Sequence, residues 1–204
     1  MPKITLISVQ TKNKNRCNLF VDGQFYAGVS VESVITNRLK VGQEIDRENL
    51  SRVIFETERS DALKKATEYV SKSLKTKKQV KDYLTRKGYS EDIIFYCIDK
   101  LKEYDYINDV EYSKRYISSQ NKTNGKRLLE YKLMAKGVNK QDVFSAFGDC
   151  EIDGKFNAKL VAEKYVKNKE RSIEVKAKTY RYLISRGFSY DEANFAVSEL
   201  FNED

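Results

Sequence analysis

The chain has 204 residues, with 38 Lys and Arg against 30 Asp and Glu, a formal charge of +8, and no histidine. The missing imidazole removes Ser-His-Asp hydrolysis, Cys-His nucleophilic catalysis and every histidine-containing metal site, but does not exclude carboxylate-only magnesium chemistry. The basic surplus favours an acidic partner, nucleic acid first among them, over the blander alternative that lysine only keeps the protein soluble.

The chain opens on Met-Pro-Lys-Ile-Thr-Leu, which has no long apolar core and no small-residue cleavage site, and no apolar run is long enough to span a bilayer. A cytoplasmic protein without membrane contact is expected. Ile4–Val9 is rich in β-branched residues and predicts a strand, the polar stretch Lys12–Arg16 a turn, and Cys17–Val21 a second strand. Asp22-Gly23 is a hairpin signal, because a tight two-residue turn needs positive φ, and Gln24–Gly28 returns as a third strand. A short helix is predicted from Val31 to Leu39, ended by Val41-Gly42. Another begins after Asp46 and carries Leu50, Val53, Ile54 and Phe55 on one face. Cys17, Cys97 and Cys150 are odd in number, far apart and without a C-x-x-C spacing, so they read as separate reduced thiols.

From Asp61 onward a threefold repeat with a period near fifty residues organises the sequence. Its marker is a basic residue, Gly, an apolar residue and a small polar one: Lys87-Gly88-Tyr89-Ser90, Lys136-Gly137-Val138-Asn139 and Arg186-Gly187-Phe188-Ser189. Leu84, Leu133 and Leu183 each lie four residues before the Gly. Tyr69-Val70, Tyr116-Ile117 and Tyr165-Val166 precede each copy, and Ile94 and Ile98, Val143 and Phe147, Ala193 and Val197 follow. Each copy reads as three helices. Gly88, Gly137 and Gly187 suit the left-handed position past the second helix, and Ser90, Asn139 and Ser189 suit the cap of the third. The predicted fold is mainly α: three tandem three-helix repeats in an elongated, curved array, at 61–106, 107–153 and 154–204, after a small β-hairpin and helical region at 1–60.

Charge follows the repeat. Basic residues gather on the interhelical loop and second helix of each copy, while the third helices are acidic, with Glu91, Asp92, Asp99, Glu103 and Asp105 in the first and Asp191, Glu192, Glu199, Glu203 and Asp204 in the last. If the copies stack, the basic segments line up as a stripe able to neutralise phosphates. Lys87, Lys136 and Arg186 have a second explanation, as cations offsetting a helix C-terminal dipole for roughly 0.3–1 kcal/mol each. Lys77, Lys78, Lys122, Lys126 and Arg127 do not share it and favour a binding face. Tyr69, Tyr83, Tyr116, Tyr165 and Tyr182 are read as half-buried core residues rather than platforms for bases. No phosphate-binding glycine loop is present and no cofactor is expected.

At this point the residues resemble the RecX family, bacterial regulators of the RecA recombinase. The resemblance rests on Tyr106-Ile107-Asn108-Asp109 with Tyr112 and Arg115-Tyr116, on Gly125-Lys126-Arg127-Leu128, on Leu133-x-x-Lys136-Gly137-Val138, and on Tyr182-Leu183-x-x-Arg186-Gly187-Phe188. It covers nearly the whole chain. The middle copy departs in carrying Lys132 where the others have Tyr83 and Tyr182, and the final helix is unusually acidic. The resemblance implies a non-enzymatic monomer that lodges in the groove of the RecA–single-stranded-DNA filament, limits its extension or promotes its loss, and suppresses ATP hydrolysis and strand exchange. Single-stranded DNA, and double-stranded DNA as well, join RecA as expected partners. Candidate contact residues are Lys77, Lys78, Lys81, Arg86, Lys87, Arg115, Lys122, Lys126, Arg127, Lys136, Lys176, Lys178, Arg181 and Arg186. Ile107, Asn108 and Asp109 are read as structural: Asn108 or Asp109 caps the next helix while Ile107 packs on its first turn. The competing expectations are a salt-dependent nucleic-acid-binding array that acts without RecA, and a magnesium-dependent nuclease.

Overall fold

The computed structural model describes residues 1–201, so Glu203 and Asp204 of the acidic tail lie outside the described residues. The fold is mainly helical, with a small three-stranded antiparallel sheet at the N-terminus. The chain forms two compact units, one of residues 1–75 and 79–107, the other of residues 76–78 and those from 108 onward.

In the first unit β1 (Ile4–Val9), β2 (Arg16–Val21) and β3 (Gln24–Ser30) pair in the order β1-β2-β3. The β2–β3 turn is the expected hairpin, with Asp22 at φ 52° and Gly23 at φ 80°. β3 runs to Ser30, whose hydroxyl accepts the Ser33 N–H at 3.0 Å and so starts α1 (Val31–Thr36). This helix ends three positions before Leu39. The Asn37 N–H and side-chain amide both close on the Ser33 carbonyl, and Arg38 turns left-handed at φ 50°. Ile4, Leu19, Val21 and Val29 from the sheet pack with Leu39, Ile45, Leu50 and Ile54 as one core.

Asp46 caps α2 (Arg47–Ser71), accepting the Glu48 N–H at 3.2 Å. α2 is a single helix of 25 residues, so the division drawn between residues 60 and 61 falls inside it. Its buried stripe runs Leu50, Ile54, Glu58, Asp61, Ala62, Ala66, Val70. Phe55, expected on that face, is exposed, because the stripe advances by four from Ile54 to Glu58. The far half of α2 packs with α3 (Lys77–Lys87) and α4 (Glu91–Glu103) around Val80, Leu84, Ile94, Cys97, Ile98 and Leu101. Burial pushes the Cys97 thiol up to about 11 and also raises that of Cys17; both are free and buried, and Cys150 is free and half-buried. Ser90 occupies the cap of α4 without making a side-chain cap hydrogen bond, so that expected cap is one of backbone conformation only.

The second unit contains α5 (Asp109–Gln120), α6 (Lys126–Ala135), α7 (Lys140–Gly148), α8 (Gly154–Val166), α9 (Ile173–Ser185) and α10 (Tyr190–Phe201). Ile117, Leu129, Leu133, Val138, Val143 and Ala146 form the core of the first three helices. Ala158, Val161, Ala162, Leu183, Phe188, Ala193 and Val197 form that of the last three. Asn139 accepts the Asp142 N–H at 2.8 Å. Ser189 and Glu192 make a reciprocal capping box: the Ser189 N–H donates to the Glu192 carboxylate at 2.7 Å, and the Glu192 N–H to the Ser189 hydroxyl at 3.2 Å.

Candidate binding face at the glycine turns

Gly88, Gly137 and Gly187 have φ of 88°, 88° and 86°, the left-handed conformation their position after a helix requires. The sequence does not disclose that each turn also lands on a segment earlier in the chain. In the first unit a Cβ on Gly88 would lie 2.8 Å from Arg16 Cδ, and Asn13 Nδ2 donates to the Lys87 carbonyl at 3.4 Å. In the second unit Gly137 abuts the Lys78 side chain, and the buried Thr76 hydroxyl donates to the Lys136 carbonyl at 2.8 Å. Gly187 abuts the backbone of Leu128. There the Gly125 N–H donates to the Arg186 carbonyl at 2.9 Å and the Arg127 N–H to the Gly187 carbonyl at 3.2 Å. Two N–H groups at the start of α6, those of Gly125 and Arg127, are thus spent on the two carbonyls that follow α9.

The consequence for charge is local. Lys136 comes to Lys77 and Lys78, and Arg186 comes to Lys126 and Arg127. Six of the fourteen candidate cations therefore stand on the segments that meet at two junctions, with Lys126 also 4.0 Å from Glu130. With the Gly125 and Arg127 N–H groups already bonded, the side chains are the main attraction for a phosphate there. Lys77, Lys78, Lys126 and Arg127 are exposed, and Lys136 and Arg186 half-buried.

The turn cations have another role. Lys87 lies over the Tyr83 ring at 5.5 Å, Lys136 over Tyr116 at 5.5 Å and Arg186 over Tyr182 at 5.6 Å. In the first and third copies the tyrosines stack in pairs, Tyr69 on Tyr83 at 4.2 Å and Tyr165 on Tyr182 at 4.4 Å. Lys75 covers Tyr69 and Lys169 covers Tyr165 from the other side. Each ring has one face on its partner and the other under a cation, which leaves no face for a base. These five tyrosines are half-buried, as expected, and pack against the cores. In the middle copy, where Lys132 replaces the second tyrosine, Tyr116 lies against Tyr112 at 6.4 Å.

The remaining candidates are dispersed. Lys81 pairs with Glu91 at 3.8 Å and lies over Phe95; Arg115 pairs with Glu111 at 3.0 Å and Lys178 with Glu174 at 2.5 Å. Arg86 and Arg181 donate to carbonyls of their own helices, at 3.3 Å in each case. Lys122 is exposed in the turn before α6, and Lys176 is half-buried in α9.

The Ile-Asn-Asp motif divides three ways. Asn108 caps α5, accepting from the Val110 and Glu111 N–H groups at 3.1 Å. Ile107 belongs to the α2–α3–α4 core of the first unit, a correction to its expected place on the first turn of α5. Asp109 instead accepts the Lys77 N–H at 2.8 Å, capping α3. The roles of Thr76, Asp109 and Gly125 at the junctions escaped the sequence. So did a buried polar network in the first unit, whose only trace is that Glu58 and Asp61 fall on the buried stripe of α2. Arg16 donates to Glu58 at 2.9 Å and to the Gly28 carbonyl at 2.6 Å, and the Ser30 N–H donates to Glu58 at 2.6 Å. Asp61 accepts from Lys65 at 2.7 Å and from the Tyr89 hydroxyl at 2.6 Å. Burial opposes ionisation of Asp61, but these hydrogen bonds and the Lys65 charge outweigh it and hold its carboxyl below the usual range. Burial, then the Asp61 carboxylate, push the Tyr89 hydroxyl up.

Among the described residues no cluster of three or more Cys, Asp or Glu is placed to hold a metal ion, and no helix is long and apolar enough to cross a membrane. Family models match the chain at residues 2–46 (regulatory protein RecX, N-terminal domain), 62–101 (RecX, first three-helix domain) and 157–197 (RecX, third three-helix domain). It is 33% identical over 207 residues to a regulatory protein RecX of Clostridium botulinum (strain Alaska E43 / Type E3), covering 99% of this chain and 98% of that one. To the regulatory protein RecX of Clostridium perfringens (strain SM101 / Type A) it is 34% identical over 209 residues, covering 100% and 99%. A crystal structure of regulatory protein RecX shares the fold, with a TM-score of 0.66 at 22% identity over the full length of both chains. That of RecX from Lactobacillus salivarius matches at a TM-score of 0.65 and 26% identity, over 71% of this chain and 97% of that one. With sequence likeness across essentially its whole length and the strand-then-helix-repeat fold to match, the chain belongs to the RecX family of regulatory proteins.

Proposed function

We propose that the protein is a non-enzymatic, cytoplasmic regulator of RecA. It binds the RecA–single-stranded-DNA filament in its groove, limits extension or promotes disassembly, and thereby suppresses ATP hydrolysis and strand exchange. The full-length likeness to proteins named regulatory protein RecX carries this reading. The junction clusters support it physically. Exposed cations recur where one helix end closes on another, so several weak contacts to phosphate or to acidic protein surface add up along one chain.

The test is ATP hydrolysis by RecA on single-stranded DNA, with this protein titrated in after filaments form. A progressive fall is expected, and its stoichiometry separates capping of filament ends from binding along them. Unchanged hydrolysis, with DNA binding intact in a parallel gel shift, refutes the proposal in favour of a nucleic-acid-binding array that acts without RecA.

Reversing Lys77, Lys78, Lys126 and Arg127 to glutamate tests the clusters. Helix content is expected to stay constant, while filament binding weakens and the slope of log affinity against log salt falls by roughly 0.7 for each single-strand phosphate no longer neutralised. Wild-type affinity and slope in the folded variant would make the clusters a solvated surface only.

A further inference from the structure

The repeat supplies its own control for what the fold needs at each position. On α6, Tyr131 is 67% exposed and Met134 47% exposed, and with Arg127 they lie at i, i+4 and i+7 along one solvent face. Counted from the glycine of each turn, Tyr131 corresponds to Asp82 in α3 and Arg181 in α9, and Met134 to Thr85 and Ile184. The same helix is built twice in this chain without an aromatic at the first position, so packing does not demand Tyr131. A third exposed group adjoins them. The Arg127 guanidinium lies 5.2 Å from the ring centre of Tyr190, which is 57% exposed. Glu91 and Lys140 stand at the equivalent positions of the other copies.

Two tyrosines, a methionine and an arginine on one surface match the composition of protein interface centres, where Tyr, Met and Arg are enriched. Lys126, Arg127 and Lys132 flank the patch, with Glu130 the single carboxylate on the helix. We propose that the solvent face of α6, with Tyr190, is a protein-docking surface for an apolar hollow rimmed by carboxylates. Its occupant rests on the function proposed above: the surface is RecA's, Arg127 included, and the other cations of the junctions contact the DNA. A nucleic-acid platform would use the tyrosines for stacking but gains nothing from an exposed methionine between basic residues.

The experiment measures the affinity of the labelled full-length protein for RecA filaments and, separately, for the same single-stranded DNA alone, in the wild type and in the double variant Tyr131→Ala with Met134→Ala. Alanine is the best helix former and both side chains are solvent-facing, so the fold is preserved, which circular dichroism checks. Filament affinity is expected to fall about thirtyfold, the scale of losing an interface centre, with DNA affinity unchanged. Equal filament affinity in variant and wild type overturns the docking surface and leaves the proposed function standing. A parallel loss of filament and DNA affinity also overturns it, assigning the tyrosines to bases. A wild type that binds no filament removes the proposed function and the docking surface together.

Discussion

Gly187→Ala is expected to cost about 2–5 kcal/mol of stability, the sum of two separate penalties. Alanine at φ 86° is in left-handed backbone, worth about 1–2 kcal/mol, and its Cβ would press on the backbone N and Cα of Leu128, an overpacking of about 1–3 kcal/mol. Two further glycines of the same unit separate the terms. Gly125 has an ordinary φ of −75°, but its Cβ would meet the backbone of Gly187 and Phe188, so Gly125→Ala incurs only the packing penalty, about 1–3 kcal/mol. Gly148 has open space around it, and Gly148→Ala is expected to stay within about 0.5 kcal/mol. Urea denaturation of the three variants followed by far-ultraviolet circular dichroism gives the ranking Gly187, Gly125, Gly148. Gly125→Ala as mild as Gly148→Ala would show that the junction yields without strain, and the close approach would cease to explain the glycine there.

The second large effect concerns the buried ion pair of the first unit. The Arg16 and Glu58 side chains are 8% and 4% exposed. Arg16→Met leaves the Glu58 carboxylate buried without its countercharge and is expected to cost about 3–5 kcal/mol. Adding Glu58→Leu removes that stranded charge and restores much of the loss. The recovery is incomplete, since the Ser30 N–H then loses its acceptor, worth about 1–3 kcal/mol. Chemical denaturation of the two variants and the wild type makes the comparison. A double variant less stable than Arg16→Met would mean that Glu58 holds this part of the unit through its bond to the Ser30 N–H, not through charge compensation with Arg16.

The helical repeat, the hairpin at Asp22-Gly23 and the buried leucines before each glycine were legible because each is written in nearby residues. Left-handed turns, alternation and fourfold spacing are local rules. Capping by the small polar residue after each turn was legible at Asn139 and Ser189 for the same reason and failed at Ser90, whose hydroxyl makes no cap bond. The rest was illegible because it depends on which segments meet. Asp109 looks like a cap for its own helix and is one for α3. Glu58 and Asp61 look like misplaced charges until Arg16 and Lys65 arrive beside them. The basic candidates were read from density of charge, and density does not distinguish Lys77, beside the Lys136 turn, from Lys178, tied to Glu174 on its own helix.

The direction in which the glycine turns dock bears on how the chain is made. Gly88 closes on Arg16, Gly137 on Lys78 and Gly187 on Leu128, in every case a segment nearer the N-terminus. On a ribosome the receiving surface therefore leaves the exit tunnel before the turn that fits it. Each turn finds its seat already synthesised, while the seats at Lys78 and Leu128 stay open until the later turn emerges.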